Sequence, residues 1–197
     1  LEQQTFQDWQ LLVRDDGSTD QTLRILLKWQ EEHPEKLAGL VLDGNHLGSK
    51  LSFSRLVEAS TAPCLMFCDQ DDVWFPEKVE VQYTALRRLE AQYGEETPLL
   101  VHADLVVVDE NRALQAVSFW DYRAFDVGQR KQAYLLNNVV TGCATAFNRA
   151  AAAMAFPLPL YAMEHDRWLA LVCAWFGVVL PLSHPLLLYR QHANNVI

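Results

Sequence analysis

Apolar residues in this chain fall into short continuous runs, separated by longer stretches in which they recur every three or four positions. The two patterns alternate. Leu11-Leu12-Val13, preceded by Trp9-Gln10 and closed by Arg14, has the length of a strand and breaks into Asp15-Asp16-Gly17-Ser18-Thr19-Asp20, a string of turn and cap residues. Leu23, Leu26, Leu27 and Trp29 then recur at helical spacing, which predicts a helix over residues 21–32, with Ser18 and Gln21 at capping-box separation. Residues 40–42 read as a short strand, 43–48 as a loop and 50–59 as a second helix. Residues 64–68 read as a buried strand that ends abruptly in Asp69-Gln70-Asp71-Asp72. Pro76 then opens a long amphipathic helix to residue 93, in the favoured first-turn position with Glu77 beside it.

This βαβαβ alternation predicts a largely parallel sheet with right-handed crossovers. Residues 99–108 add a strand, and 118–130 show no periodicity and are expected to loop over the sheet. The stretch 139–148 contains Thr141-Gly142-Cys143-Ala144, small residues suited to close backbone approach. A helix over 164–175 and a strand over 178–180 follow, and the chain closes through Leu186-Leu187-Leu188-Tyr189-Arg190-Gln191-His192. The most apolar stretch, 168–182, is short for a bilayer span, contains Gly177 and reaches Pro181, so it reads as a core helix running into a core strand. No repeat or low-complexity linker divides the chain, so residues 1–197 read as a single domain.

Composition narrows the function classes. Half of the 197 residues are apolar, which is ordinary for a globular protein with a sizeable core. Lysine and arginine number 16 against 25 aspartates and glutamates, a net charge of −9 that argues against nucleic acid as the main partner. Residues 1–10 are polar and lack the apolar core of a signal peptide. Cys64, Cys68, Cys143 and Cys173 have no zinc-ligand spacing and read as buried thiols of a reducing compartment.

The chemistry concentrates where strands end. Three carboxylates in Asp69-Gln70-Asp71-Asp72 repel one another and are stable together only with a shared cation or shared protons. Mg²⁺ or Mn²⁺ takes oxygen ligands of this kind, together with substrate phosphates. In a parallel sheet Asp15 and Asp16 share that edge, where they either recognise a nucleotide's hydroxyls and base N–H groups or serve as turn and cap residues alone. An EF-hand starting at Asp69 would place Glu80 at its last ligand position but has Trp74 where glycine is required. Asp69-Gln70-Asp71-Asp72-Val73 also resembles the nucleophile motif of haloacid-dehalogenase-type phosphatases, with Asp69 attacking phosphorus and Asp71 as the acid. Against that, two βα units precede the motif and no acidic pair is evident downstream. Asp166 opens an apolar helix, either as a first-turn residue or as a base whose charge the helix dipole favours. His165 reads as structural, and Trp74 and Trp168 as core or cleft-wall residues able to stack on a sugar.

The stretches Gln4-Thr5-Phe6, Asp15-Asp16-Gly17-Ser18-Thr19-Asp20, Asn45-His46-Leu47-Gly48 and Phe67-Cys68-Asp69-Gln70-Asp71-Asp72-Val73-Trp74 occur in one order along the chain, followed by Thr141-Gly142-Cys143, His165-Asp166-Arg167-Trp168 and Tyr189-Arg190-Gln191-His192. With them the chain resembles a family 2 glycosyltransferase of the GT-A fold, of the rhamnosyltransferase-like kind. The resemblance implies a three-layer α/β/α sandwich with a mostly parallel, partly mixed sheet. It also implies an N-terminally truncated domain, lacking the first strand and most of the first helix. Asp15 and Asp16 match the loop that contacts the donor's nucleoside, Asp69 and Asp71 match the DxD motif, and Lys50 lies near the donor's phosphates. Asp71 and His192 match metal-site residues, and Asp166 matches the catalytic base of inverting enzymes.

The implied activity is metal-dependent transfer of a sugar from a nucleoside diphosphate donor to a hydroxyl of a saccharide or lipid-linked acceptor, as in cell-surface polysaccharide synthesis. That would place the protein in the cytoplasm, peripherally at the inner face of the membrane. The competing expectations are the phosphatase with Asp69 as nucleophile and a non-catalytic nucleotide-sugar-binding remnant.

Overall fold

The computed structural model describes residues 1–127 and 131–192. The first βα units form as the pattern predicts. Strand β1 (Leu11–Arg14) leads to helix α1 (Thr22–Glu32), and β2 (Leu37–Val41) to α2 (Gly48–Ala59). β1 and β2 pair in parallel. The start of α1 departs from the capping-box expectation: Gln21 makes no side-chain cap, and Asp20 Oδ1 accepts the Thr22 N–H at 2.9 Å instead.

The second ladder is built around one long strand. β3 (Cys64–Leu65), β4 (Val73–Trp74) and helix α3 (Lys78–Tyr93) are followed by β5 (Leu99–Val108) and β6 (Leu114–Ala116). The short helices α4 (Phe119–Tyr122) and α5 (Ala133–Leu136) precede a 3₁₀ turn (Gly142–Ala144) and β7 (Thr145–Asn148). Helices α6 (Arg149–Ala155) and α7 (His165–Phe176) and strand β8 (Val178–Arg190) complete the described chain. The order is β3-β7-β5-β8-β4, with β6 alongside β5.

The three-layer α/β arrangement stands, but the balance of strand directions differs from the sequence reading. β5 runs parallel to β8, while the β3–β7, β4–β8, β5–β6 and β5–β7 pairs are antiparallel. The alternation of strands and helices extends only through α3. Beyond it, β6 turns back on β5 after a few residues, and β7 enters through the small-residue turn at 142–144 rather than through a crossover helix. The expected strand over 64–68 shrinks to two residues, whereas 178–180 extends to Arg190 and absorbs the apolar C-terminal run.

Alternation along β5 assigns its two faces. Leu99 and Val101 pack on Leu86 and Leu89 of α3, while Leu100 faces Val139, Phe147, Leu169 and Cys173 on the other side. All of these except Leu89 are wholly buried, and Leu89 nearly so. Each such side chain contributes about 2 kcal/mol of burial. A third cluster, around Leu105, Val107, Phe119, Cys143 and Leu187, underlies the strand ends where the carboxylates collect. The segment expected to loop over 118–130 opens with α4; its last three positions lie outside the described residues. Among the described residues no helix is long and apolar enough to cross a membrane.

Candidate active site

The acidic loop runs from the end of β3 into β4, with Asp69, Asp71 and Asp72 half-buried and Gln70 exposed. Burial, reinforced by Asp72, Asp71 and Asp166, pushes the Asp69 carboxyl up to about 7. Burial likewise lifts Asp72 to about 6, against the Cys143 thiol and the backbone N–H of Arg190, which donates to Asp72 Oδ1 at 3.1 Å. Asp72 Oδ2 is buried and meets no nitrogen or oxygen donor among the described residues. One ligand atom each from Asp69, Asp72 and Cys143 lie within 4.8 Å of one another. Asp71 points differently: its Oδ2 lies 2.8 Å from His192 Nε2.

Beneath this loop lies a buried cation. Lys78, at the start of α3, is completely removed from solvent, and burial lowers its pKa to about 8. Its Nζ sits 3.7 Å from the centre of the Trp74 ring and donates to Gln82 Oε1 at 2.6 Å. Gln82 in turn donates to the Ala144 carbonyl at 2.6 Å, which fixes the 3₁₀ turn.

That turn orients Asp166. The Gly142 N–H donates to Asp166 Oδ2 at 2.9 Å, and Asn138 Nδ2 donates to Oδ1 at 3.3 Å. A Cβ on Gly142 would stand 3.0 Å from His165 Nε2 and 3.5 Å from Asp166 Oδ2, so glycine allows the backbone to come this close. His165, which precedes Asp166 in α7, stacks on Phe53 at 4.4 Å and meets Phe67 edge-on at 4.8 Å. Burial lowers its pKa, consistent with a neutral, structural ring.

Asp69, Asp71, Asp166 and His192 line one cleft of about 410 Å³, together with Arg123, Glu164 and Tyr189. Three other expected site residues stand outside its lining. Asp15 is spent on its own loop, accepting the N–H groups of Gly17 at 3.1 Å and Ser18 at 3.0 Å. Asp16 accepts the N–H groups of Leu47 at 2.7 Å and Gly48 at 2.8 Å and is paired with Arg14, which also binds Asp43 at 2.7 Å. Burial pushes Asp16 up, but Arg14 and the two N–H donors outweigh it and hold the carboxyl at about 2. Lys50 donates its Nζ to the Ala162 carbonyl at 2.9 Å. These side chains shape the rim indirectly, since Ser49, between Gly48 and Lys50, does line the cleft. Cys143 and Arg123 carry no site signal in a sequence reading that treats thiols as core and single charges as surface.

Comparison with known proteins gives this geometry its context. The model of glycosyl transferase family 2 matches residues 1–154. The chain belongs to that family. An uncharacterized glycosyltransferase of Nostoc sp. is 32% identical over 77 residues, covering 39% of this chain and 23% of the Nostoc protein.

Two solved GT-A glycosyltransferases share the fold. Staphylococcus aureus TarS 1–349 in complex with UDP-GlcNAc superposes with a TM-score of 0.62 at 18% identity, over 98% of this chain and 53% of that one. The mannosyltransferase PcManGT from Pyrobaculum calidifontis, in complex with GDP-Man and Mn²⁺, gives 0.68 at 16% identity, over 98% and 51%. The chain therefore spans about half the length of these structures.

A divalent cation fits the acidic loop of this family 2 chain. The loop offers clustered carboxylates raised first by burial and then by one another, among them a buried Asp72 oxygen that no nitrogen or oxygen donor meets among the described residues. Hard oxygens of this kind suit Mg²⁺ or Mn²⁺. Burial raises the Cys143 thiol well above its ordinary pKa, and a soft thiol suits Mg²⁺ or Mn²⁺ less well than the carboxylates beside it.

Proposed function

We propose that the chain is the catalytic part of a metal-dependent inverting glycosyltransferase. It moves a sugar from a nucleoside diphosphate sugar to a hydroxyl of a saccharide or lipid-linked acceptor, with cell-surface polysaccharide synthesis as its setting and the cytoplasmic membrane face as its place. A rhamnosyltransferase-like donor is the reading its motifs favour. The observation that carries the proposal is the convergence of Asp166 with the Asp71–His192 pair in one cleft.

In this reading Asp166 takes the proton of the acceptor hydroxyl as its oxygen attacks the anomeric carbon from the face opposite the diphosphate. The bond from that carbon to the diphosphate oxygen breaks, and the electron pair leaves with the nucleoside diphosphate. A base so placed supplies roughly 10²–10⁴-fold in rate. The Gly142 N–H and Asn138 fix which lone pairs of Asp166 face the cleft. Asp69, Asp71 and Asp72, with His192, would hold Mg²⁺ or Mn²⁺, which when bound acts as a Lewis acid toward diphosphate oxygens. Asp15 and Asp16 support the nucleoside end by holding the 43–48 loop rather than by direct contact.

The phosphatase alternative is weaker. It asks Asp69 to act as nucleophile with Asp71 as the acid, whereas the match to glycosyl transferase family 2 covers residues 1–154, the acidic loop included.

The test is calorimetric titration with UDP and GDP, with and without Mn²⁺. Mn²⁺ is expected to tighten binding of at least one nucleotide, and Asp71→Ala to abolish that gain. Equal affinity with and without the cation for both nucleotides refutes the assignment.

A further inference from the structure

Among the described residues, Arg123 is the one lysine or arginine lining the cleft, whose other charged walls include Asp69, Asp71, Glu164 and Asp166. It forms no ion pair among the described residues, and its guanidinium carbon lies 5.7 Å from the Phe119 ring centre and 5.5 Å from that of Phe125. Contact with two aromatic rings does not consume the guanidinium's N–H donors.

The helix that presents it is anchored at both ends. At the start of α4, Asp104, a buried carboxylate on β5, accepts the N–H groups of Phe119 at 3.0 Å and Trp120 at 3.2 Å and the Ser118 hydroxyl at 2.5 Å. At the end, Phe125 N–H donates to the Trp120 carbonyl at 2.9 Å and Ala124 N–H to Asp121 at 3.1 Å. Those two bonds form a Schellman cap, which places Ala124 in the left-handed region at φ 51° where glycine is the usual residue. A buried carboxylate and a strained alanine hold four helical residues in place, and strain of this kind collects at functional sites.

The wall carrying Arg123 is continuous with the Asp71 end of the cleft. The Phe119 ring lies 5.6 Å from that of Tyr189, on the strand whose extension carries His192 beside Asp71. A diphosphate esterified at both ends carries two negative charges, and cleavage from the sugar leaves a third on the departing oxygen. The surrounding carboxylates oppose that charge.

We propose that Arg123 binds the donor's diphosphate and counters the charge that develops on its leaving oxygen. This rests on the glycosyltransferase reading and adds to it a residue assigned no role above.

The test is titration of the wild-type chain, Arg123→Gln and Arg123→Lys with UDP and GDP in the presence of Mn²⁺, and with uridine and guanosine as controls. Loss of a hydrogen bond between charged groups should weaken nucleoside diphosphate binding about tenfold in Arg123→Gln. Arg123→Lys should recover part of the loss, and the affinity for the nucleosides should stay the same. The side chain is exposed, so the melting temperature should hold. If Arg123→Gln binds both diphosphates as tightly as the wild type, the assignment is wrong, including the case where its only defect is a raised KM for acceptor. If the wild type shows no cation-dependent binding of either nucleotide, the glycosyltransferase reading itself fails, and this assignment with it.

Discussion

His192 Nε2 meets Asp71 Oδ2 at 2.8 Å across 121 positions of sequence, so the end of β8 and the loop after β3 close on each other at the cleft. Removing the imidazole should leave Asp71 less well oriented and cost His192→Ala about 10–100-fold in Mn²⁺ affinity. Titration of Mn²⁺ against the nucleotide-bound chain measures this. An affinity equal to the wild type would place His192 outside the cation site.

Asp166→Asn keeps the size of the side chain and its place in α7 but removes the base. Sugar transfer should fall by roughly 10²–10⁴-fold while UDP or GDP still binds in the presence of Mn²⁺. Parallel measurement of turnover and nucleotide affinity separates the two effects. Full turnover in the variant would mean that another group takes the proton.

Asp69 titrates at about 7 in the folded chain against an ordinary value of 3.8. A raised folded-state pKa means that the native state holds the proton more tightly. The resulting stabilisation is complete below about pH 4 and is lost as the pH rises through about 7. Without a divalent cation, the wild-type melting temperature should therefore fall relative to Asp69→Asn across that window, since asparagine mimics the protonated acid. Added Mn²⁺ should reverse the fall above pH 7. Scanning calorimetry across pH tests this, and parallel curves for the two proteins would count against a strained Asp69. Asp16 titrates at about 2, so its contribution is lost only under more acidic conditions.

Ala124 occupies a left-handed position that costs a side chain about 1 kcal/mol. Ala124→Gly should raise the melting temperature by about 3 °C in a chain of this length. An unchanged or lower value would mean that the turn carries no strain.

The parts of this architecture written in local pattern were legible in the sequence. The periodicities of α1, α3 and α7 and the apolar runs of β1 and β5 predict elements within a few residues of those observed. β8 escaped because Pro181 and Pro185 interrupt its run, and strand pairing with β5 carries the chain past both. At the site, Asp69, Asp71, Asp166 and His192 announce themselves as acids and imidazole at element ends. The sequence could not show that Asp15 and Asp16 spend their oxygens on backbone N–H groups, because those partners are set by how the 43–48 loop folds back. The partner of Lys50 was hidden for the same reason, since Ala162 lies 112 positions away. Arg123 looked like any surface charge until α4 and its cap were visible.

Lys78 gives the acidic loop an internal counter-ion that belongs to the polypeptide itself. Proteins that depend on a structural metal unfold when a chelator strips it away. If the proposed cation binds here, this ammonium under the loop should keep the emptied protein folded, so that a chelator removes the ion without unfolding the scaffold.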